Sequence, residues 1–159
     1  MIFQSPRCLI RPFVMDDIEA FMAYRNDDAW MRFQGFKGLN RQAYEDALLP
    51  QRAETEGVQL AIVDAANGAL IGDLYLLRQT DVMEIGYTVA PQFARQGYAR
   101  EAVQALLKVL PEHGVRRVRA AVMPENAASI ALLRSLGFQQ TGTDKFGDWV
   151  FHLSLNPSV

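Results

Sequence analysis

The chain has 159 residues, of which 50% are apolar and 21% charged, and this fits one globular domain but is short for two. Its formal net charge of −2 at pH 7, and the lack of an apolar run long enough to cross a bilayer, argue against nucleic acid and membranes as partners. Cys8 is the only cysteine, which excludes an intramolecular disulfide and a thiolate metal cluster and makes the cytoplasm the expected compartment.

The first part of the chain predicts one strand followed by two helices. The apolar run Cys8–Ile10 predicts a short strand, which Pro12 confines to an edge or to its end. One residue of the pair Asp16-Asp17 can cap a helix that runs to about Asn26. A turn-rich aromatic segment then leads to a second predicted helix, from Arg41 to about Glu54.

The middle of the chain predicts three consecutive antiparallel strands. The Asn-Gly pair within Ala66–Ala69 indicates a hairpin, because such a pair tolerates positive φ. The three predicted strands are Gln59–Ala65, Leu70–Arg78 and Glu84–Val89.

The last part of the chain predicts two helices and three strands. An apolar stripe at helical spacing predicts a helix from Tyr98 to about Leu110, and Gly137 is placed to end the following helix in a left-handed conformation. The strand between these helices should lie parallel to Glu84–Val89, since a helix connects the two. The remaining predicted elements are the strand Val115–Met123, the helix Ala127–Leu136, and a closing hairpin of Phe138–Asp144 and Trp149–Leu155.

This order of elements predicts an α/β (α+β) fold, with a mixed, mostly antiparallel sheet and helices on both faces. No linker divides the chain, so a single domain is expected over residues 1–159.

The turn Arg95–Ala99 joins the central strand to a helix and is the main candidate for a binding site. A helix start leaves backbone N–H groups unpaired at the positive end of the helix dipole, and Gly97 and Ala99 let a ligand approach them. The turn therefore predicts an anion site suited to phosphate.

Two motifs, at Ala94–Ala99 and in the last long helix, lead to a family. The turn corresponds to Gln/Arg-x-x-Gly-x-Gly/Ala, from which Ala94 departs, and Arg95 stands where glycine is frequent and could meet a phosphate. The helix corresponds loosely to Asn-x-x-Ser-x-x-x-Leu-x-x-x-Gly-Phe, which begins at Asn126. Together with the order of elements, these motifs resemble the GCN5-related N-acetyltransferases (GNAT). The opening Arg7–Pro12 and Asp16-Asp17 are most similar to the RimJ/RimL-like group.

The resemblance implies transfer of the acetyl group of acetyl-CoA to a primary amine by direct attack in a ternary complex. It implies that the fourth and fifth predicted strands splay apart and that the pantetheine arm lies between them like an added strand. The Val89 N–H is expected to polarise the thioester carbonyl. The implied cofactor-binding residues are Tyr87, Thr88, Val89, Arg95, Gln96, Gly97, Tyr98, Ala99, Arg100, Asn126 and Ser129.

The acceptor ammonium, with a pKa near ~10, must lose a proton before it can attack, so a general base is needed. Glu84 resembles the strand glutamate that acts as base in the family's histone-modifying branch, and it is predicted to act directly or through water. A cation-binding or structural role is the alternative for Glu84. Leu133 replaces the tyrosine that many relatives use to protonate the thiolate, so Ser129 or a water could serve instead. Ser129 could equally bind the cofactor, and Asn126 could simply cap its helix.

The acceptor is predicted to be a small-molecule amine or the N-terminal amine of a protein. Asp73 could attract a cationic amine, whereas the aromatic candidates could line a cleft or pack in the core. The predicted acceptor-binding residues are Trp30, Phe33, Gln34, Asp73, Tyr75 and Trp149. No metal is expected, because two isolated histidines make no metal site, and the resemblance allows a homodimer because relatives often dimerise.

Two other functions compete with this hypothesis. A nucleotide-binding protein would need Gly-x-x-x-x-Gly-Lys-Ser/Thr or Gly-x-Gly-x-x-Gly, and the sequence contains neither motif. A catalytically silent acetyl-CoA sensor or interaction module of the same fold is allowed by Leu133 and Arg95, although Glu84 argues for catalysis.

Overall fold

The computed structural model describes residues 1–156, and these form one eight-stranded sheet with four α-helices packed on it. The predicted domain ends at residue 159, outside the described part. The strands are β1 (Phe3–Gln4), β2 (Cys8–Pro12), β3 (Val58–Asp64), β4 (Leu70–Gln79), β5 (Val82–Val89), β6 (Arg117–Val122), β7 (Gln139–Thr143) and β8 (Trp149–Ser154). The helices are α1 (Ile18–Arg25), α2 (Arg41–Leu48), α3 (Tyr98–Val109) and α4 (Ala127–Ser135).

The sheet is mixed and mostly antiparallel, which confirms the predicted fold class. Its strand order is β1-β2-β3-β4-β5-β6-β8-β7, and β5 and β6 are its parallel pair. Helix α3 connects these two strands, as expected for a parallel crossover. The turn between β3 and β4 also matches the prediction: the Asp64 carboxylate accepts the N–H groups of Ala66 and Asn67, and Gly68 takes positive φ.

Helices cover both faces because the strands alternate apolar residues on both sides. Along β3, Leu60 and Ile62 belong to the core under α3 and α4, whereas Ala61 and Val63 belong to the core under α1 and α2. A strand buried on two faces reads as a continuous apolar run, which explains the composition of this segment.

One helix end and one strand differ from the sequence prediction. Helix α2 ends at Leu48 and not near Glu54, because Pro50 has no backbone N–H to continue the helical hydrogen bonds and its ring would clash with the carbonyl of Asp46. Strand β1 was not predicted; with only Phe3–Gln4 it is too short to show alternation, and it pairs with Leu9–Ile10.

The parallel pairing of β5 and β6 is brief, and this creates the opening in which the site lies. The two strands pair only over Val82–Glu84 and Arg117–Arg119, although β5 continues to Val89 and β6 to Val122. The predicted splay of the two strands is therefore present, and it begins directly after Glu84.

Candidate active site

One edge of β5 is left without a neighbouring strand beyond Glu84. The Ala90 N–H donates to the Ile71 carbonyl on β4, so alternation along an antiparallel ladder directs the N–H groups of Tyr87 and Val89 the other way, towards β6. Since β6 has diverged by then, these groups face the opening. An extended ligand could pair with them as a strand would.

A cavity of about 490 Å³ fills this opening and extends to the start of α3. All the predicted cofactor-binding residues except Gln96 line it; the Gln96 amide donates instead to the Gln92 carbonyl. Three residues predicted to bind the acceptor, Trp30, Phe33 and Gln34, also line this cavity. The sequence analysis did not single out Arg32, Phe93, Ala128 and Leu132, which complete the wall together with Ala94.

The turn before α3 presents a row of backbone donors to this cavity. Arg95 and Gly97 both take left-handed backbone, with φ of 60° and 80°, and this turns the chain into the helix. The amides of residues 95–100 donate to no group within residues 1–156. Unpaired N–H groups at the N-terminus of a twelve-residue helix make an anion site.

Arg7 fixes this turn from outside. Its guanidinium lies 3.9 Å from the Tyr98 ring centroid, donates to the Gln96 carbonyl at 2.9 Å, and pairs with Glu101 at 2.8 Å. Burial would raise the pKa of the Glu101 carboxyl, but hydrogen bonds from Ser5 and Arg7 outweigh it and lower the pKa. The first β-turn of the chain is thereby held against α3.

A second cavity of about 460 Å³ lies on the α1/α2 side of β5. Three predicted acceptor-binding residues, Gln34, Asp73 and Tyr75, line it. Gln34, Tyr87 and Thr88 line both cavities, so the two meet at the end of β5. Trp149, the remaining acceptor candidate, lines neither cavity; it lies on β8 opposite Val122.

The Asp73 carboxylate is buried and accepts from three side chains. Tyr24 donates at 2.5 Å, Arg25 at 2.6 Å and Gln59 at 2.9 Å. Arg25 also reaches Thr88 at 3.3 Å, which links this network to the junction of the cavities. Burial, followed by the charge of Asp73, raises the pKa of Tyr24 well above its usual value.

Arg25 and Gln59 are site residues that the sequence analysis missed. Arg25 follows Ile18, Phe21 and Met22 at helical spacing, which puts it on the apolar face of the predicted helix. A cation on an apolar stripe needs a buried counterion, and that requirement was the available signal. The counterion lies 48 residues away on β4, so local pattern could not identify it.

Glu84 lies where the splay begins and is paired across it. Its carboxylate accepts from Arg119 at 2.7 Å, and both side chains are about two-thirds buried. Alternation places Glu84 on the same face of β5 as Gly86 and Thr88, which line the second cavity. Burial, and then the negative charge of Glu84, raise the pKa of Tyr75, so the carboxylate acts electrostatically on that cavity's wall.

Two hydroxyl groups meet on the opposite face of β5. Tyr87 Oη and Ser129 Oγ are 2.5 Å apart, and burial raises the pKa of Tyr87 to about 12 although the Ser129 hydrogen bond opposes this. Asn126 caps α4 by accepting the Ser129 N–H at 3.2 Å, and Leu133 is fully buried one turn further on. The Trp30 indole closes the other side of the opening by donating to the Val89 carbonyl at 2.9 Å.

Within residues 1–156, no three His, Cys, Asp or Glu side chains are grouped closely enough to hold a metal ion. In the same residues, no helix has the length and apolar composition needed to span a membrane.

Comparison with known proteins identifies the family. Residues 7–139 match the model of the acetyltransferase (GNAT) domain, and the chain therefore belongs to the GNAT acetyltransferase family. Among its relatives is the uncharacterized N-acetyltransferase YnaD of Bacillus subtilis (strain 168), which is 30% identical over 146 residues, or 89% of this chain and 85% of YnaD.

Solved structures agree on the fold. The GNAT-family acetyltransferase from Bacillus anthracis superposes with a TM-score of 0.83 at 22% identity, covering 97% of this chain and 98% of that one. Spermidine N-acetyltransferase from Vibrio cholerae, in complex with CoA and spermine, has a TM-score of 0.78 at 16% identity, covering 93% and 95% of the two chains.

Proposed function

We propose that this chain is an N-acetyltransferase that moves the acetyl group of acetyl-CoA to a primary amine by direct attack in a ternary complex. The observation that carries the proposal is the meeting of two cavities at Tyr87 and Thr88, at the open end of β5. One cavity has the donors expected for a nucleotide diphosphate, and the other reaches the same point from the opposite face. A donor and an acceptor bound in them would approach each other at β5.

The residues of the first cavity fit coenzyme A. The amides of residues 95–100 would hold the pyrophosphate, and Arg95 and Arg100 lie beside them. The open edge of β5 would hold the pantetheine amides, and the Val89 N–H would donate to the thioester carbonyl oxygen as negative charge develops there. The CoA complex of the structurally similar Vibrio cholerae enzyme supports this ligand class.

Glu84 is our candidate for the general base. Glu84 lines neither cavity, but Tyr75 and Gly86, on the same face of the sheet, line the second one. Proton transfer from the acceptor ammonium would therefore pass through water. One ammonium proton passes to the carboxylate, and the nitrogen lone pair attacks the acetyl carbon. The carbon–sulfur electron pair then departs with sulfur, while the second proton leaves the nitrogen for solvent and the amide forms.

The acceptor is proposed to be a small molecule or a protein N-terminus that carries a primary amine. Gln34, Asp73 and Tyr75 line the cavity that would receive it. The paired Arg11 and Asp17, 2.7 Å apart, support a place in the RimJ/RimL-like group, because both belong to that group's opening pattern. We also propose that residues 1–159 act as one cytoplasmic domain.

Thermal unfolding with acetyl-CoA tests the cofactor. At about a hundred times Kd a specific ligand adds about 2.7 kcal/mol of stability, which raises Tm by several degrees in a chain of this size. ATP and NAD should give no shift. The variant Gly97→Ala should lose the shift because alanine is strained at φ 80°, whereas Gly142→Ala should keep it because Gly142 has open space and ordinary φ.

Thiol release over a panel of amines then tests transfer. Turnover with any primary amine supports the proposal. A Tm shift without turnover across the panel favours the catalytically silent sensor, and the absence of a shift removes the cofactor assignment itself.

A further inference from the structure

The hydroxyl pair Tyr87 and Ser129 lies in the first cavity and has no role in the proton transfer assigned to Glu84. Tyr87 projects from the unpaired part of β5 towards α4, and Ser129 lies in the first turn of α4; both line the first cavity. Their 2.5 Å contact links β5 to α4. The fold therefore brings two hydroxyls from distant segments together in the cavity proposed to hold coenzyme A.

One hydroxyl hydrogen of the pair is not used in the bond between Tyr87 and Ser129. Two hydroxyls carry two protons, and the bond between them uses one. The remaining acceptor near Tyr87 in the described chain is the Ser129 carbonyl at 3.4 Å, which is at the outer limit for an O–H···O bond. One hydroxyl hydrogen is thus available to a ligand in the first cavity.

A neutral tyrosine hydroxyl can donate a hydrogen bond to an anion. Burial holds Tyr87 neutral through the working range of an enzyme, so it donates a hydrogen bond and does not carry charge itself. A thiol has a pKa near ~8.5 if it behaves like cysteine, far below that of Tyr87. The tyrosine can therefore stabilise a thiolate by hydrogen bonding without surrendering its proton.

We propose that Tyr87, oriented by Ser129, donates a hydrogen bond to the coenzyme A sulfur as the carbon–sulfur bond breaks. This rests on the proposed function and adds a residue to it. The electron pair of the broken bond stays on sulfur. One ammonium proton passes to Glu84 before the attack, the second leaves the nitrogen as the amide forms, and both end in solvent. The coenzyme leaves as a thiolate that takes one proton back from solvent. The donor comes from β5, whereas the helix position expected for such a tyrosine is occupied by Leu133.

The variants Tyr87→Phe and Ser129→Ala test the proposal. Each should lower kcat by about 10- to 100-fold, because one preorganised donor to a developing charge is lost, and should leave the acetyl-CoA KM within about twofold. The double variant should cost little more than either single one, since the pair acts as a unit. Tyr44→Phe removes another buried tyrosine hydroxyl, which bonds to Asn26. Tyr44 lines neither cavity and the variant keeps its ring stacked on Phe36, so kcat should be unchanged.

A change of leaving group separates this role from a structural one. Acetyl-seleno-CoA releases a selenolate, a weaker base that needs less stabilisation, so the kcat deficit of Tyr87→Phe should shrink several-fold with this donor. An equal deficit with both donors, or an unchanged kcat with acetyl-CoA, would overturn the assignment. If the wild-type protein releases no thiol with any amine, the proposed function fails first and the inference falls with it.

Discussion

Asp73 has a structural role in a buried hydrogen-bond network and is also a candidate for binding the acceptor. It lines the second cavity, yet its oxygens already accept from Tyr24, Arg25 and Gln59. Removing one partner of a buried ion pair leaves the other charge uncompensated in the interior. The resulting loss of stability is far larger than the loss on removing one partner of a surface pair.

The variant Asp73→Asn is therefore expected to lose about 3–5 kcal/mol of unfolding free energy, because Arg25 keeps its buried charge without a counterion. Urea denaturation followed by circular dichroism measures this. The control Asp148→Asn should change the free energy by less than about 0.5 kcal/mol, since Asp148 forms no ion pair in residues 1–156. A near-neutral Asp73→Asn with a raised acceptor KM would instead assign the carboxylate to substrate binding.

The variant Glu84→Gln tests the proposed base. It should lower kcat by about 10²- to 10⁴-fold, because the amide cannot take a proton from the acceptor. Steady-state thiol release at a saturating amine concentration measures this. Arg119→Gln removes the ion-pair partner but keeps the carboxylate, and it should retain far more of the activity. An unchanged kcat in Glu84→Gln would leave Glu84 a purely structural role.

Sequence pattern predicted the lining of the first cavity better than the surroundings of the second. Residues 94–100 and the Asn126–Ser129 segment are local motifs, which can be recognised in one stretch of sequence. The second cavity and its surroundings depend on pairs such as Arg25–Asp73 and Arg119–Glu84, whose members lie 48 and 35 residues apart. Only tertiary packing brings these residues together.

At the scale of elements, Glu101 links the N-terminal turn to α3 and makes that contact sensitive to pH. The lowered pKa of Glu101 means that the folded protein binds its proton less tightly than the unfolded chain. Its contribution to stability is therefore complete above the usual carboxyl pKa of 4.5 and is lost as the pH falls through the lowered value.

The variant Glu101→Gln should consequently be less stable than wild type at pH 7 and should approach wild type as the pH falls below about 4. Chemical denaturation at a series of pH values measures the difference in unfolding free energy. The control Glu45→Gln removes a looser pair within one helix, 3.6 Å from Arg41, and should show a much smaller difference. A Glu101→Gln deficit that stays constant down to pH 3 would contradict the assigned charge interaction.

Periodicity predicted the long elements because each one has a buried face. The helix α3 and the strands β3 to β6 follow their apolar patterns closely. Strand pairing and local backbone chemistry explain the two elements that differ from the prediction, β1 and α2. Strand β1 owes its place to pairing with β2 and not to any alternation of its own, and Pro50 shortens α2 against a favourable composition.

At the scale of the whole molecule, the parallel strand pair β5–β6 shapes both cavities. The divergence of β6 from β5 leaves one edge of β5 open, and the two faces of β5 carry Gly86 and Thr88 on one side and Tyr87 on the other. The unpaired edge is a stability cost that a bound ligand can offset, since the ligand would satisfy backbone groups that otherwise meet water.

Hydrogen exchange with and without coenzyme A should reveal this coupling. The amides of Tyr87, Val89 and residues 95–100 have no partner in the described chain and should exchange rapidly in the free protein. With coenzyme A at about a hundred times Kd, their exchange should slow by up to about 100-fold, because the ligand pairs with them. The β3–β4 pairing, which is complete without ligand, should change little and serves as the internal reference. Protection that appears equally in β3, β4 and β5 would indicate general stabilisation of the fold, and would argue against a ligand that pairs with the open edge of β5.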